Sequence, residues 1–408
     1  MALGQIEVQR SDGRCRWSFD CLGYAEWIER PRSPKFGTMR EQKRVVVTGV
    51  GVCSPIGVGM PEFEKSLRQG RSGIVFWPEL EVLNFRCQVG GQPALGEEDL
   101  ERYFKPLERK RLKAQGVIYG VVAALEAWEM AGLSIGAEED APQWQRGTVF
   151  GTGLSGISAL APGIDLVDAG KVRRLGSGFV EQVMPSGISA YLSGRLGLGN
   201  WVTSNASACS TGTEALVMAL RHLRAGAAEI MLAGGCDDGG PHSWGGFDAM
   251  RVLNAGHNVT PQEASRPMAA DANGFVPGSG GGALVLETLE SAEKRGAPIL
   301  AELLGGALNS GGQRQGGTMT APNAQGVQRC LEGALRDAAV HAADIDLISG
   351  HLTSTMGDVL EIQNWSQVLG RKGEDFPVVN ALKSLTGHCL SAAGAIELVA
   401  LVWQCTGS

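Results

Sequence analysis

Four residues of this 408-residue chain have the types and setting for acyl-transfer chemistry: Cys209, His351, Lys383 and His388. Cys209 lies in Ser-Asn-Ala-Ser-Ala-Cys-Ser-Thr-Gly-Thr-Glu-Ala-Leu, residues 204–216. An extended run, Trp201-Val202-Thr203, leads in, and Leu216, Leu220 and Leu223 then recur on one helical face. The cysteine is therefore expected at a strand-to-helix turn walled by small residues. There the positive end of the helix favours thiolate over thiol, and an exposed thiolate is an acyl-transfer nucleophile. A lone cysteine is more often a buried structural residue. The placement of His351, Lys383 and His388 in or beside turns that follow strands tips the balance toward chemistry. His222, His242, His257 and His341 read as structural or surface residues.

The elements that must position these groups alternate in type. Arg44–Val50 reads as a buried strand, 61–69 as a short helix, and 107–131 as one long helix with Val117, Val121, Leu125 and Trp128 at helical spacing. Strands are expected at Gly147–Gly151, Ile230–Gly234 and Ala283–Glu287, and a helix at Ile188–Arg195. A second round starts after Gly296. It has strands at Leu300–Leu304, Ile345–Ser349 and Val378–Asn380, a helix through Val327, Leu331 and Leu335, and a last helix over Gly394–Val402. Trp201–Leu223 and Val378–Val402 match as strand, small-residue turn and helix, one turn carrying Cys209 and the other His388. This order predicts an α/β fold built by internal duplication. The first round has two further strands after its last helix, whereas the second stops at Ser408. Two closing strands are thus expected to be missing, the chain being a truncated or frameshifted product with unpaired strand edges.

Composition narrows the class. Hydrophobic content of 43% and charged content of 19% fit a globular protein, and a net charge of −7 argues against general nucleic-acid binding. No apolar run reaches the roughly 18 residues of a membrane helix. The nine cysteines show no paired metal spacing, which predicts reduced thiols in the cytoplasm rather than a disulfide framework or a zinc site. Residues 1–43 read as an extension, either disordered or upstream of a true start at Met39, followed by halves at 44–296 and 297–408.

From about Arg44 to Ala400 the chain resembles the β-ketoacyl-acyl carrier protein synthases, the condensing enzymes of the thiolase-like superfamily. The resemblance rests on Val47-Thr48-Gly49-Val50-Gly51, Ser54-Pro55-Ile56-Gly57, Gly151-Thr152-Gly153, Ala208-Cys209-Ser210-Thr211-Gly212, Ala264-Ser265-Arg266-Pro267 and Asn273-Gly274-Phe275-Val276. His351 with Thr353-Ser354-Thr355, and Lys383-Ser384 through Gly387-His388, complete the set. Each motif is weak alone; in this order they are specific. The family implies two stacked βαβαβαββ halves in five αβαβα layers, here with the second half lacking its last two strands, and usually a homodimer. It implies Cys209 as the acyl-accepting nucleophile, its backbone N–H in the oxyanion hole, His351 and His388 as the paired histidines, and Lys383 as electrostatic support. Asp358 and Glu361, nearby on one helix, are the expected ionic partners of Lys383.

The implied reaction is decarboxylative condensation of malonyl-carrier protein with the acyl group on Cys209, in fatty-acid or polyketide synthesis, with no cofactor and no metal. A thiolase and a non-catalytic chain-length-factor-like partner are the alternative readings. The partner is acyl carrier protein in its acyl and malonyl forms. Carrier proteins are acidic, so Lys65, Arg68 and Arg71, or Arg109, Lys110, Arg111 and Lys113, are candidate docking cations. Three departures from the family pattern stand out. Leu352 replaces a glycine beside His351, Arg266-Pro267-Met268-Ala269 departs from Arg-Pro-Phe-Asp, and Gly278-Ser279-Gly280 replaces Gly-Glu-Gly. The family's terminal Asn-Ser-Phe-Gly-Phe-Gly-Gly segment, with its gating phenylalanine and second oxyanion amide, is absent, which implies impaired activity.

Overall fold

A computed structural model describes residues 42–406 except 138, 319, 320 and 322, and also pairs Arg10–Ser11 with Arg14–Cys15. The expectation for residues 1–43 otherwise falls outside the described residues.

The N-terminal half centres on one seven-stranded mixed sheet. Its main strands are β1 (Val45–Ser54), β2 (Arg146–Thr152), β3 (Val202–Thr203), β4 (Ile230–Asp237), β5 (Gly280–Thr288) and β6 (Ala301–Glu302). They lie in the order β6-β1-β5-β4-β2-β3. β4, β2 and β3 run parallel, and β5 is antiparallel to both β4 and β1. Both faces of the sheet are covered, so its strands are apolar throughout. Alternation sorts their side chains: Ile230, Leu232, Ala283 and Val285 join one core, and Met231, Ala233, Leu284 and Leu286 the other. The register between β5 and β1 shifts once, Val285 facing Gly49 and Leu286 facing Val47, which leaves Thr48 as a bulge.

Helix α1 (Gln115–Met130) covers the first face, burying Val117, Val121, Leu125 and Trp128. The expected helix over 107–131 is in fact two. A short helix, Pro106–Arg111, ends before α1, because the Gln182 side chain accepts the N–H groups of Lys113 and Ala114 and holds that joint out of the helix.

The second face carries α2 (Thr211–Arg224) and α3 (Ala393–Thr406), one from each half of the chain. Their N-termini approach through reciprocal glycines. A Cβ on Gly212 would stand 2.8 Å from the Ala395 nitrogen, and one on Gly394 would stand 2.1 Å from the Thr213 hydroxyl. Each glycine is the second residue of its helix, so the two contacts mirror each other as a duplicated pair should. Any side chain at either place would push the helix ends apart.

In the C-terminal half, β7 (Leu347–Ser349) and β8 (Val378–Asn380) pair in parallel. The strand expected over Leu300–Leu304 shortens to β6 and joins β1 of the first half instead of opening a second sheet. The Leu300 and Leu303 N–H groups bond the carbonyls of Val47 and Val45, which fixes this choice. The architecture is mixed α/β around a central sheet, as the alternation of strands and helices predicts.

Candidate active site

The two turns that carry Cys209 and His388 lie at the facing N-termini of α2 and α3. Cys209 follows β3, and His388 follows β8 by way of a short helix, Lys383–Thr386. The nucleophile turn is tightly braced. Ala208 takes a left-handed φ of 48°, a conformation that costs about 1–3 kcal/mol and needs support. Ser207 N–H donates to Thr211 Oγ1 at 2.8 Å, and the Thr211 hydroxyl donates to the Ala208 carbonyl at 2.7 Å. Ser207 Oγ and Asn205 Nδ2 both donate to Glu214 on the first turn of α2. The sulfur is thereby aimed out of the turn.

His388 is buried, with Nε2 3.0 Å from Cys209 Sγ. Its Nδ1 accepts the Leu390 N–H at 3.3 Å. That acceptor role assigns the neutral tautomer with hydrogen on Nε2, so the ring points an N–H at the sulfur and at any charge forming there. Phe275 packs edge-on, 5.3 Å from the His388 ring centre, and His351 does the same at 5.2 Å. His351 follows β7, its backbone N–H held by Glu361 at 2.7 Å, and its residue surface is exposed.

Burial, then Lys383 and His351, depress the His388 pKa well below its ordinary value. Desolvation by the surrounding protein, then Lys383, pushes His351 the same way, to about 3. Both imidazoles are therefore neutral near pH 7, able to donate a hydrogen bond without carrying charge. The linkage has a definite sign. Below about pH 6.5 the unfolded chain binds protons that folded His388 refuses, so acidification destabilises the protein. Urea midpoints should therefore fall between pH 7 and pH 5.5. A His388→Gln variant should flatten that slope, and an unchanged slope would refute the assignment.

Cys209 departs from its expected behaviour. Burial pushes its thiol up rather than down, opposed by Lys383 and reinforced by Asp237. Desolvation of the sulfur outweighs the helix N-terminus, so the resting group is a thiol.

Lys383 is 2% exposed and pairs with Glu397 of α3. This corrects the expected pairing with Asp358 and Glu361. Asp358 instead accepts the N–H groups of Thr353 and Ser354 at 2.7 and 3.0 Å, and Glu361 that of His351. Both carboxylates are occupied in shaping the loop after His351, where Leu352 is buried and Ser354 has a φ of 63°. Glu397 is not among the expected partners, although one signal points to it: it is the only charged residue in Ala393–Thr406. Phe275 enters the sequence reading only within the Asn273–Val276 motif, and Asp237 carries no local signal.

The sulfur and the two imidazoles offer atoms within 4.8 Å of one another, close enough to suggest a metal. A cation would need the Nε2 lone pair, which that tautomer fills with hydrogen. The site fits proton and thioester chemistry better. A cavity of about 390 Å³ opens beside the turn, against Ala206, Ser207 and Ala208 on one side and Gly311, Gly312 and Asn323 on the other.

The candidate docking cations lie elsewhere, on the helix Met60–Gln69 and just after it. Lys65 and Arg71 pair with Glu62, and Arg68 pairs with Glu64. Arg109 pairs with Glu97 and Glu101, while Lys110, Arg111 and Lys113 are exposed. Cys53, Cys87, Cys209, Cys236, Cys330, Cys389 and Cys405 are all free. No described helix is long and apolar enough to cross a membrane.

Residues 42–292 match the β-ketoacyl synthase N-terminal domain family and residues 300–406 the C-terminal domain family. The chain is 37% identical to the chloroplastic 3-oxoacyl-[acyl-carrier-protein] synthase I of Arabidopsis thaliana, over 88% of this chain and 75% of that one. It is 35% identical to 3-oxoacyl-[acyl-carrier-protein] synthase 1 of Escherichia coli K12, over 88% and 84%. Among solved structures, a β-ketoacyl synthase from Burkholderia phymatum superposes with a TM-score of 0.79 at 28% identity, covering 88% and 85%. A ketosynthase in complex with its type II polyketide acyl-carrier protein superposes with a TM-score of 0.74 at 30% identity, covering 88% and 86%.

Proposed function

Because this chain belongs to the β-ketoacyl synthase family, we propose that it condenses acyl units through Cys209, His351 and His388, with Lys383 in support. It is an acyltransferase of the condensing type, acting in fatty-acid or polyketide synthesis. The observation that carries the residue assignment is the contact of His388 Nε2 with Cys209 Sγ at 3.0 Å.

In the first half-reaction the Cys209 sulfur attacks an acyl thioester. The carrier thiol leaves with the proton that the cysteine gives up, and the acyl group stays on Sγ. The carbonyl oxygen gains charge in that step, and in this reading the Cys209 backbone N–H receives it. In the second half-reaction malonyl thioester loses carbon dioxide, and the electron pair of the broken C–C bond becomes an enolate. The His388 and His351 N–H groups stabilise the enolate oxygen while remaining neutral. The nucleophilic carbon then attacks the acyl carbonyl, the new C–C bond forms, the C–S bond breaks, and Cys209 leaves as thiolate to regain a proton. Desolvation and then Lys383 keep both imidazoles unprotonated, and Lys383 favours that thiolate.

The acyl and malonyl groups arrive on a carrier protein, as the complex of the related ketosynthase supports. Lys65, Arg68 and Arg71 are the docking cations in this reading. Just beyond them Gly73 N–H bonds the Leu385 carbonyl at 2.8 Å, and Arg68 lies over the Trp403 ring toward the far end of α3. Their pairing with Glu62 and Glu64 leaves only a slight excess of positive charge, so the effect on affinity is modest. Charge reversal at Lys65 and Arg68 is expected to raise the KM for acyl-carrier protein by about 5–10-fold, leaving a small acyl thioester unaffected. Equal loss with both substrates would remove these residues from the docking surface. A cytoplasmic homodimer completes the proposal; the open edge at β3 supports the pairing, and free thiols support the compartment.

A further inference from the structure

Asp237 ends β4 at 1% exposure, and neither half-reaction of the condensation uses it. Its carboxylate is met by N–H and O–H donors from two other parts of the fold. Oδ1 accepts the Leu154 N–H at 2.6 Å and faces the Thr152 hydroxyl at 3.4 Å. Oδ2 accepts the Ser391 N–H at 3.0 Å. Ser391 lies three residues after His388, and its own hydroxyl donates to the Ala208 carbonyl at 3.2 Å, one residue before Cys209. A continuous chain of hydrogen bonds thus runs from the end of β4, through the His388 turn, to the nucleophile turn. It crosses between the halves of the protein where their helix ends meet.

We propose that Asp237 is a positioning residue for the condensation: through Ser391 it holds the His388 imidazole in register with the Cys209 sulfur. A carboxylate suits this task because both of its oxygens accept. An asparagine of the same shape would turn an amide NH₂ toward one of two backbone N–H groups and lose that bond. Burying a carboxylate with donors but no paired cation is costly, and the cost is visible here, since burial pushes Asp237 up to about 6. The groups that sense its charge are Cys236 and Asp238 beside it on the chain, Cys209 on the nucleophile turn and Cys389 on the His388 turn. At Cys209 its charge raises the thiol pKa and so works against thiolate. Asp237 therefore serves the geometry of the pair while opposing ionisation of the sulfur, and the two effects can be separated.

The test is Asp237→Asn in the full chain, read by condensation kinetics and by the rate of Cys209 alkylation with iodoacetamide. Condensation kcat is expected to fall about 10–100-fold through misplacement of the imidazole, with KM for carrier-bound substrates held within about threefold. Alkylation at pH 7 is expected to become faster, because a negative neighbour of the sulfur is gone. A purely structural role would lower both rates together, and that result overturns the proposal, as does a kcat within twofold of the parent. Ser391→Ala, which removes only the link to Ala208, provides a milder variant; it is expected to lower kcat about 3–10-fold and to add little on top of Asp237→Asn. An unchanged kcat for Ser391→Ala likewise overturns the chain of positioning. The inference rests on Cys209 and His388 as the reacting pair. Condensation that survives Cys209→Ala sinks that assignment, whereas condensation that needs Cys209 but ignores Asp237→Asn sinks only the role given to Asp237.

Discussion

Cys209→Ala is expected to abolish covalent acylation and to lower condensation by at least about 10⁴-fold, the scale on which a nucleophile that acts as part of a unit is lost. The measurement is intact-protein mass spectrometry after incubation with acyl-carrier protein. The parent should gain the mass of one acyl group, and the variant none. Half-buried Cys209 stands against His388, whereas Cys53, Cys87, Cys236 and Cys389 are buried in apolar surroundings with their thiols pushed up further from reactivity. Acylation of any of these in place of Cys209 is not expected. A mass gain that persists in the variant would falsify the nucleophile assignment outright. The fold should be indifferent to the change, since the turn is braced by Thr211 and Glu214 rather than by the sulfur. Decarboxylation of malonyl-carrier protein should continue in the variant, because the donors to the enolate are untouched.

The second large effect is on stability. Lys383 and Glu397 form an ion pair in the protein interior, at 2% and 12% side-chain exposure. Lys383→Met strands the Glu397 carboxylate, and removing one partner of a buried pair costs about 3–5 kcal/mol. Urea denaturation should show it as a clear drop in midpoint. The double variant Lys383→Met/Glu397→Leu removes both charges and should recover most of the loss, because a well-packed apolar pair of similar volume often substitutes for a buried ion pair. Recovery of stability should not bring recovery of rate. Desolvation chiefly keeps His351 and His388 neutral, with Lys383 adding to it, and Lys383 pulls the Cys209 thiol down; without it the sulfur ionises less and the imidazoles protonate at higher pH. A double variant that is both stable and fully active would confine Lys383 to a packing role.

Much of this arrangement is legible in the chain. The turns of Cys209 and His388 are marked by small residues between a strand and a helix, and their equivalence predicts the meeting of α2 and α3. Individual partners are less legible, because the groups that decide them come from elsewhere. Asp358 and Glu361 are near His351 in sequence and so attract the pairing with Lys383. The loop after His351 has backbone N–H groups that must be satisfied, however, and it takes both carboxylates first. Glu397 wins the lysine from a different helix. The break between Arg111 and Gln115 depends on Gln182, about seventy residues downstream. The thiol of Cys209 illustrates two opposed rules, helix polarity and desolvation, whose balance is decided by a packing density that local pattern does not encode. The bulge at Thr48 is of the same kind, since it arises from the register of a strand more than two hundred residues away.

The reciprocal glycines of α2 and α3 also bear on when this protein becomes reactive during its synthesis. Cys209 and His388 are 179 residues apart in sequence and meet only where Gly212 and Gly394 let the helix ends touch. Contacts of such long range close late, because the chain between them must first be ordered. A ribosome adding about 5–20 residues per second takes on the order of ten seconds or more to travel from one to the other. Throughout that interval the nucleophile turn can already be folded, but the imidazole that faces its sulfur has not been made. Catalytic competence thus waits for the second half, and a nascent chain carrying only the first half can hold the thiol without completing the reaction.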